Sequence, residues 1–353
     1  MALNFDHHTL GQRVYFGAGR ANEYLKAALK DLDSKKVMVI ASGSALRAAQ
    51  EIAAGVEVAV WHSDVVMHVP LASAENARAV AAKRDIDVLV CVGGGSATGL
   101  AKAIALTMGI PIIAIPTTYA GSEATNVWGL TEDSRKTTGV DNKVLPTVVI
   151  YDSELTLSLP VEMSIASGLN GLAHCIDSLW APRADPINAA LALEGIRALA
   201  AGLPKIMNNP QGISGRDEAL YGAYLAAVSF ASAGSGLHHK ICHVLGGTFN
   251  LPHAQTHATV LPYVLAFNAP FAPEVEKRAA TALGSSTALE GLQKLRTQLK
   301  APQKLTDYGF SAAGIPEAVS IILENIPANN PRPVTAENLT ELLEKALVGA
   351  EPA

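Results

Sequence analysis

The feature that most constrains the fold is an alternation confined to the first half of the chain. Runs rich in Val, Ile and Ala lie at KKVMVIAS (35–42), VEVAVWH (56–62), IDVLVCVG (86–93), PIIAIPTT (111–118) and TVVIYD (147–152). Stretches of helical texture near 20–32, 44–54, 73–84 and 97–108 lie between them. Short, near-continuous apolar runs read as strands buried on both faces. Strands that alternate with helices form a mostly parallel sheet with helices on both sides. In such sheets ligands bind beyond the carboxyl ends of the strands.

After about residue 153 the texture changes. Ala/Leu-rich helical patterns run through 160–205, 215–233, 237–248 and 255–268, then from 272 to the end, with no strand run of comparable strength. A chain of 353 residues is long enough for two cores. The expected architecture is an α/β, Rossmann-like dinucleotide-binding domain over 1–153 and an all-α catalytic domain over 154–353. The segment IPANNPRPVT (326–335) is expected as a loop, with Thr335 capping a final helix.

Composition removes several classes of function. The net charge is −5 and the chain holds no Lys/Arg run or zinc-finger spacing, which argues against nucleic-acid binding. The start, MALNFDHHTLGQRVYFGAG, has neither the basic nor the apolar region of a signal peptide, and no stretch is long and apolar enough to span a bilayer. Cys91, Cys175 and Cys242 are far apart and odd in number, so a disulfide framework is not expected and a cytoplasmic location is.

The turn VGGGSATGLAK (92–102) follows a strand run and opens a helix. Gly93, Gly94, Gly95 and Ser96 there allow close approach of a pyrophosphate, met by free N–H groups at the helix start. The spacing is not GxGxxG, and taken alone it fits a tight turn packed under a helix better. The next strand run leads into Pro116-Thr117-Thr118-Tyr119-Ala120-Gly121-Ser122. Thr117, Thr118, Tyr119 and Ser122 give that loop hydroxyls for the diphosphate, ribose and nicotinamide amide. Two such loops at successive strand ends point to a dinucleotide. The run VMVIA ends in Ser42-Gly43-Ser44, without the acid that reads a free ribose 2′-hydroxyl, so weak discrimination between NADH and NADPH is expected.

In the second half, Asn170-Gly-Leu-Ala-His174 and His239-Lys-Ile-Cys-His243 each put two side chains at i and i+4, one face of a helix, and His253 follows ten residues later. His174, His239 and His253 with Asn170 resemble a metal site that lacks its anion. A divalent ion loses charge compensation when the carboxylate becomes an amide. No required metal is therefore expected; if an ion binds, those three histidines hold it. His7, His8, His62, His68, His238 and His257 read as ordinary surface or core histidines.

With these motifs in place, the chain resembles the iron-containing alcohol dehydrogenase superfamily, and within it the maleylacetate reductase branch. The resemblance covers nearly the whole chain and is most specific in GGGSATGLAK, IPTTYAGSEATNVWG, RKTTGVDNKVLP, NGLAHCIDSLWA and HHKICHVLGGTFNLPH. It aligns Asn170 with the family's metal-binding Asp, and His174, His239 and His253 with its three histidines. It matches His243 to a histidine near the nicotinamide, Lys102 to the lysine after the glycine turn, and Lys136 to a lysine beside the nicotinamide half. Asn170, and Gly99 in place of an acid, depart from the metal-dependent branch in the way the reductase branch does.

The resemblance implies NADH- or NADPH-dependent reduction of the carbon–carbon double bond of maleylacetate to 3-oxoadipate in aromatic-compound breakdown, by a homodimer. Asn170 and the N–H groups of His174, His239 and His253 are candidate donors to the enolate, and His243 a candidate proton donor. Lys240, Arg183 and Arg332 are candidate partners for the substrate carboxylates, with Tyr119 bordering the pocket. The rival readings are a metal-dependent alcohol or polyol dehydrogenase, a lyase related to the dehydroquinate synthases, and a nucleotide-binding protein without turnover.

Overall fold

The computed structural model describes residues 4–132 and 135–352, without the side chains of Arg135 and Lys136. It divides into two compact units, one spanning Leu10–Leu159 and the other beginning at Pro160 and taking in the residues up to Thr9.

In the first unit, strands β1 (Arg13–Phe16), β2 (Val37–Ala41), β3 (Val58–His62), β4 (Val88–Gly93), β5 (Ile112–Pro116) and β8 (Val148–Tyr151) form one sheet in the order β1-β8-β5-β4-β2-β3. Every pairing in it is parallel. The strand period of two explains why these segments are apolar throughout. Met38, Ile40, Leu89 and Cys91 face helices α3 (Leu71–Lys83) and α4 (Gly95–Met108). Val37, Val39, Val88 and Val90 face α1 (Ala21–Asp31) and α2 (Leu46–Ile52). Each fully buried Val, Ile or Leu stabilises the fold by about 1.5–3 kcal/mol.

The sequence pattern misses β1, a short, half-exposed edge strand, and the hairpin of β6 (Val127–Glu132) with β7 (Arg135–Val140). Neither carries the apolar run that marks the central strands. The compact α/β unit runs on to Leu159, six residues past the expected boundary at 153, and Asp152 ties the end of β8 to the start of α1. Its carboxylate accepts from the backbone N–H groups of Gly19, Ala21 and Glu154.

The second unit is helical among the described residues: α5 (Val161–Ser178), α6 (Pro186–Asn208), α7 (Ile213–Ala233), α8 (Leu237–Phe249), α9 (His253–Asn268), α10 (Pro273–Leu283), α11 (Ala288–Gln298), α12 (Ile315–Leu323) and α13 (Ala336–Val348). Helices α6 and α7 approach closely at Gly202 and Gly222, where a Cβ would lie 2.9–3.0 Å from backbone nitrogens of the other helix. The chain start belongs to this unit, not to the α/β one: His7 Nδ1 lies 2.9 Å from Asp185 Oδ2, and Ser232 donates to the His8 carbonyl. Thr335 caps α13 through a reciprocal bond with Asn338. No described helix is long and apolar enough to cross a membrane.

Candidate active site

In the α/β unit, β2 leads outward to β3, while β4 lies on the opposite side of β2. The crevice at such a reversal is where open parallel sheets bind ligands. Here a cleft of about 350 Å³ is lined by Ser42, Val65, Met67, Gly94, Gly95, Ser96 and Ala97. Gly93 ends β4 at φ +147°, and Gly94 caps α4 with no side-chain bond to its first N–H groups. A Cβ on Gly94 would press to 3.1 Å from Thr118 Cγ2, whereas one on Gly95 would meet nothing within 4 Å. The helix start is therefore bare, with N–H donors and its positive dipole end facing open space, which fits a diphosphate. Thr117 donates its backbone N–H to Gly93, which joins the two loops. The hydroxyls of Ser42 and Ser44 lie 3.1 Å apart.

Two expected cofactor residues take other jobs. Lys102 is buried, and its ammonium donates to the Thr125 carbonyl, the Thr125 hydroxyl and the Val127 carbonyl at 2.8–3.0 Å. All three N–H donors are used, so Lys102 anchors the loop into β6 rather than reaching a cofactor. Burial lowers its pKa to about 7, against the pull of Glu123. Tyr119 is wholly buried, its hydroxyl 3.4 Å from Thr156 Oγ1. Ser122 opens a short 3₁₀ turn, and its carbonyl accepts from the Thr125 N–H and hydroxyl. The Lys136 side chain lies outside the described residues. Buried Glu123, bonded to the Tyr151 hydroxyl, went unnoticed in sequence because a single Glu in a loop carries no pattern. A Cβ at Gly99 would lie 2.8 Å from Val69 Cγ2, so Val69 fills the place of the acid absent there.

In the helical unit the imidazoles form a cluster with a buried floor and an exposed rim. Asn170 and His174 share a face of α5. His174 stacks on His239 of α8 with ring centroids 4.8 Å apart. His257 of α9 lies at the centre, 4.8 Å from His239, 4.9 Å from His238 and 4.3 Å from His253. His243 is exposed and sits edge-on, 6.0 Å from His239, and His253, also exposed, opens α9. His238 and His257, read from sequence as ordinary surface or core histidines, are core residues packed against the expected site histidines. Both are buried inside the cluster, and His238 Nε2 of α8 lies 2.9 Å from His257 Nδ1 of α9, one turn along α9 from His253. Among the described residues, Asn170 Oδ1, His174 Nδ1, His239 Nε2 and His257 Nε2 are buried without hydrogen-bond partners.

Burial is the main electrostatic force here. It lowers His174 and His238 to about 3 and His239 and His257 well below the usual imidazole range, and neighbouring imidazoles add to the effect. Beneath them lies Asp177, buried on α5 and absent from the sequence reading. Its Oδ2 lies 2.8 Å from His239 Nδ1, and it accepts from the N–H groups of Gly236, His238 and His239 at 2.8–3.4 Å. Burial pushes its carboxyl up to about 7, while these donors pull it down. A neutral His239 that gives its Nδ1 proton to Asp177 keeps a lone pair at Nε2, whereas the N–H donor role expected for this ring needs the proton on Nε2.

The basic candidates do not gather at the cluster. Arg183 donates to the Ser232 and Ala231 carbonyls at the end of α7. Arg332 stacks on Phe267, which lies 14 residues, about 21 Å, along α9 from His253. Lys240 is partly buried on α8.

The three histidines expected as ligands, His174, His239 and His253, do not form a compact ligand group among the described residues. Imidazole nitrogens around one tetrahedral zinc lie about 3.4 Å apart. Among the described residues, the His/Cys/Asp/Glu group with donor atoms within 4.8 Å of one another is His238, Cys242 and His257, not His174, His239 and His253. In that group the two imidazoles bond each other through one nitrogen apiece, and burial holds the Cys242 thiol well above its ordinary range. Asn170 supplies no charge.

Profiles for iron-containing alcohol dehydrogenases match residues 11–153, and those for the C-terminal part of the Fe-containing alcohol dehydrogenase family match residues 164–347. The chain belongs to the iron-containing alcohol dehydrogenase family. It is an oxidoreductase. A maleylacetate reductase from Sphingobium indicum is 46% identical over 99% of both chains. The solved iron-containing alcohol dehydrogenase from Corynebacterium glutamicum is 70% identical, with a TM-score of 0.99 over 100% of this chain and 99% of that one. The solved maleylacetate reductase from Agrobacterium tumefaciens is 37% identical, with a TM-score of 0.95 over 99% of this chain and 100% of that one.

Proposed function

We propose that this family member reduces the carbon–carbon double bond of maleylacetate to give 3-oxoadipate in aromatic-compound catabolism, using NADH or NADPH. The observation that carries the reading is a buried histidine floor beside a neutral Asn170, in a chain similar throughout to maleylacetate reductases. The cleft at β2 and β4 supports a dinucleotide, whose nicotinamide supplies a hydride to the carbon β to the ketone. The bare start of α4 holds the diphosphate. Ser42 and Ser44 present hydroxyls and no acid near the cleft, which supports use of either cofactor.

In the helical unit, charge developing on the ketone oxygen needs N–H donors in a dry place. Asn170 and His174 are the buried candidates. His243 and His253 are exposed, and either is suited to hand a proton to the carbon next to the ketone. Hydride and proton together add the two hydrogens that saturate the double bond. We propose that no ion is required, on the neutral amide and the unassembled imidazoles.

The test is NADH oxidation with freshly prepared maleylacetate, with and without a strong chelator. Fast turnover unaffected by chelation is the expected result. Loss on chelation with recovery on added zinc or iron would favour a metal-dependent reductase or alcohol dehydrogenase. No oxidation of NADH at all would overturn the assignment.

A further inference from the structure

We infer that Asp177 is a positioning residue that fixes His239 as the tautomer with its proton on Nδ1 and a bare Nε2 as acceptor. Its consequence for turnover rests on the reductase reading above; the tautomer itself does not.

Two independent sets of contacts meet on one carboxylate. The first is the start of α8, whose Gly236, His238 and His239 N–H groups point at Asp177 from the first turn. A helix start has N–H groups with no partner inside the helix, and its dipole favours an anion there. Asp177 thus caps α8 from a different helix, in place of a local Ser, Thr or Asp at position 236. Gly236 makes that possible, because a Cβ at this position would strike Asp177 Oδ1. The second contact is His239 Nδ1, 2.8 Å from Asp177 Oδ2. Oδ2, the oxygen that faces Nδ1, already accepts from the Gly236 and His239 backbone N–H groups, so it accepts from the ring as well and the imidazole donates through Nδ1. Nε2 is then an acceptor, and it is buried without a hydrogen-bond partner among the described residues.

The ligand group that His239 takes is therefore an O–H or N–H donor, an ordered water or an enol hydroxyl, and not an enolate oxygen. A proton passing to Nε2 would create an imidazolium already paired with the Asp177 carboxylate. One residue thus holds both the helix that carries His239 and His243 and the tautomer of the ring on it.

The experiment labels histidine with ¹⁵N and reads the tautomer of His239 by long-range ¹H–¹⁵N correlation, assigned with His239→Gln. The expected wild-type signal has a protonated Nδ1 and a bare Nε2; a proton on Nε2 alone would overturn the proposal, whatever the enzyme's substrate. Asp177→Asn turns an acceptor into an amide that can face Nδ1 with its NH₂ group. It is expected to move the proton to Nε2 and lower kcat about 100-fold, with KM for NADH within about twofold. A folded variant with unchanged kcat, or one whose tautomer stays on Nδ1, counts against it. A wild type inactive on maleylacetate would sink the substrate reading while the tautomer measurement still decided this one.

Discussion

His174 lies face to face on His239, with ring centroids 4.8 Å apart and planes 21° apart. Two stacked imidazoles in a dry site cannot both become imidazolium, and burial keeps them neutral.

That neutrality predicts acid sensitivity. In the folded chain His174 and His238 titrate at about 3, and in the unfolded chain at about 6.5. Between those values the unfolded chain binds more protons, so stability rises with pH and is lost as pH falls below 6.5. Each such group contributes up to about 1.4 kcal/mol per pH unit in that window. Urea midpoints measured from pH 7 to pH 5 are expected to fall steeply, and less steeply in His238→Asn. Equal slopes in the two proteins would show that these imidazoles do not govern the effect.

Asn170→Asp should convert the site. The new carboxylate would sit one turn from His174 with no counter-charge, at a cost of several kcal/mol until a cation arrives. The variant is expected to melt lower than wild type in chelator, to recover with zinc, and to retain about one ion per chain by elemental analysis. Wild type that keeps a stoichiometric ion through chelation would contradict the metal-free reading.

Gly95→Val tests the cofactor cleft. Its side chain would enter open space, so the expected loss of stability is under about 1 kcal/mol. Occupying the place of the diphosphate should weaken NADH at least about tenfold, or about 1.4 kcal/mol. Fluorescence titration with NADH reads this directly, and unchanged affinity would remove the cleft at β2 and β4 from consideration.

Lys102→Met should cost stability more than catalysis. It strips donors from the Thr125 carbonyl and hydroxyl and from the Val127 carbonyl, all held at 2.8–3.0 Å. Unsatisfied buried acceptors of this kind cost about 1–3 kcal/mol each before relaxation. Chemical denaturation should show a loss of about 2–4 kcal/mol. A stable variant with NADH affinity destroyed would return Lys102 to the cofactor.

The central strands were legible because parallel strands buried on both faces leave no polar positions, as in Val37–Ala41 and Val88–Gly93. The hairpin at 127–140 was not, since its half-exposed strands mix Thr, Gly and charge. His174, His239 and His253 could be found by spacing, but His257 and His238 could not, because burial and ring contacts appear only when α8 meets α9. Asp177 hides for the same reason. It follows His174 by three residues, and its partner lies 62 residues away in sequence.

Every imidazole of the cluster except His174 comes from the continuous stretch Leu237–Asn268, two helices joined through Asn250 in a left-handed turn (φ 54°) and Pro252. A recombination event that exchanged this hairpin between related genes would transfer most of the imidazole cluster as one heritable cassette, while the glycine-rich loops of the α/β unit stayed behind. Such a graft would find its helix cap only in a recipient with an acid at position 177, which makes that one side chain a compatibility requirement for seating the cassette.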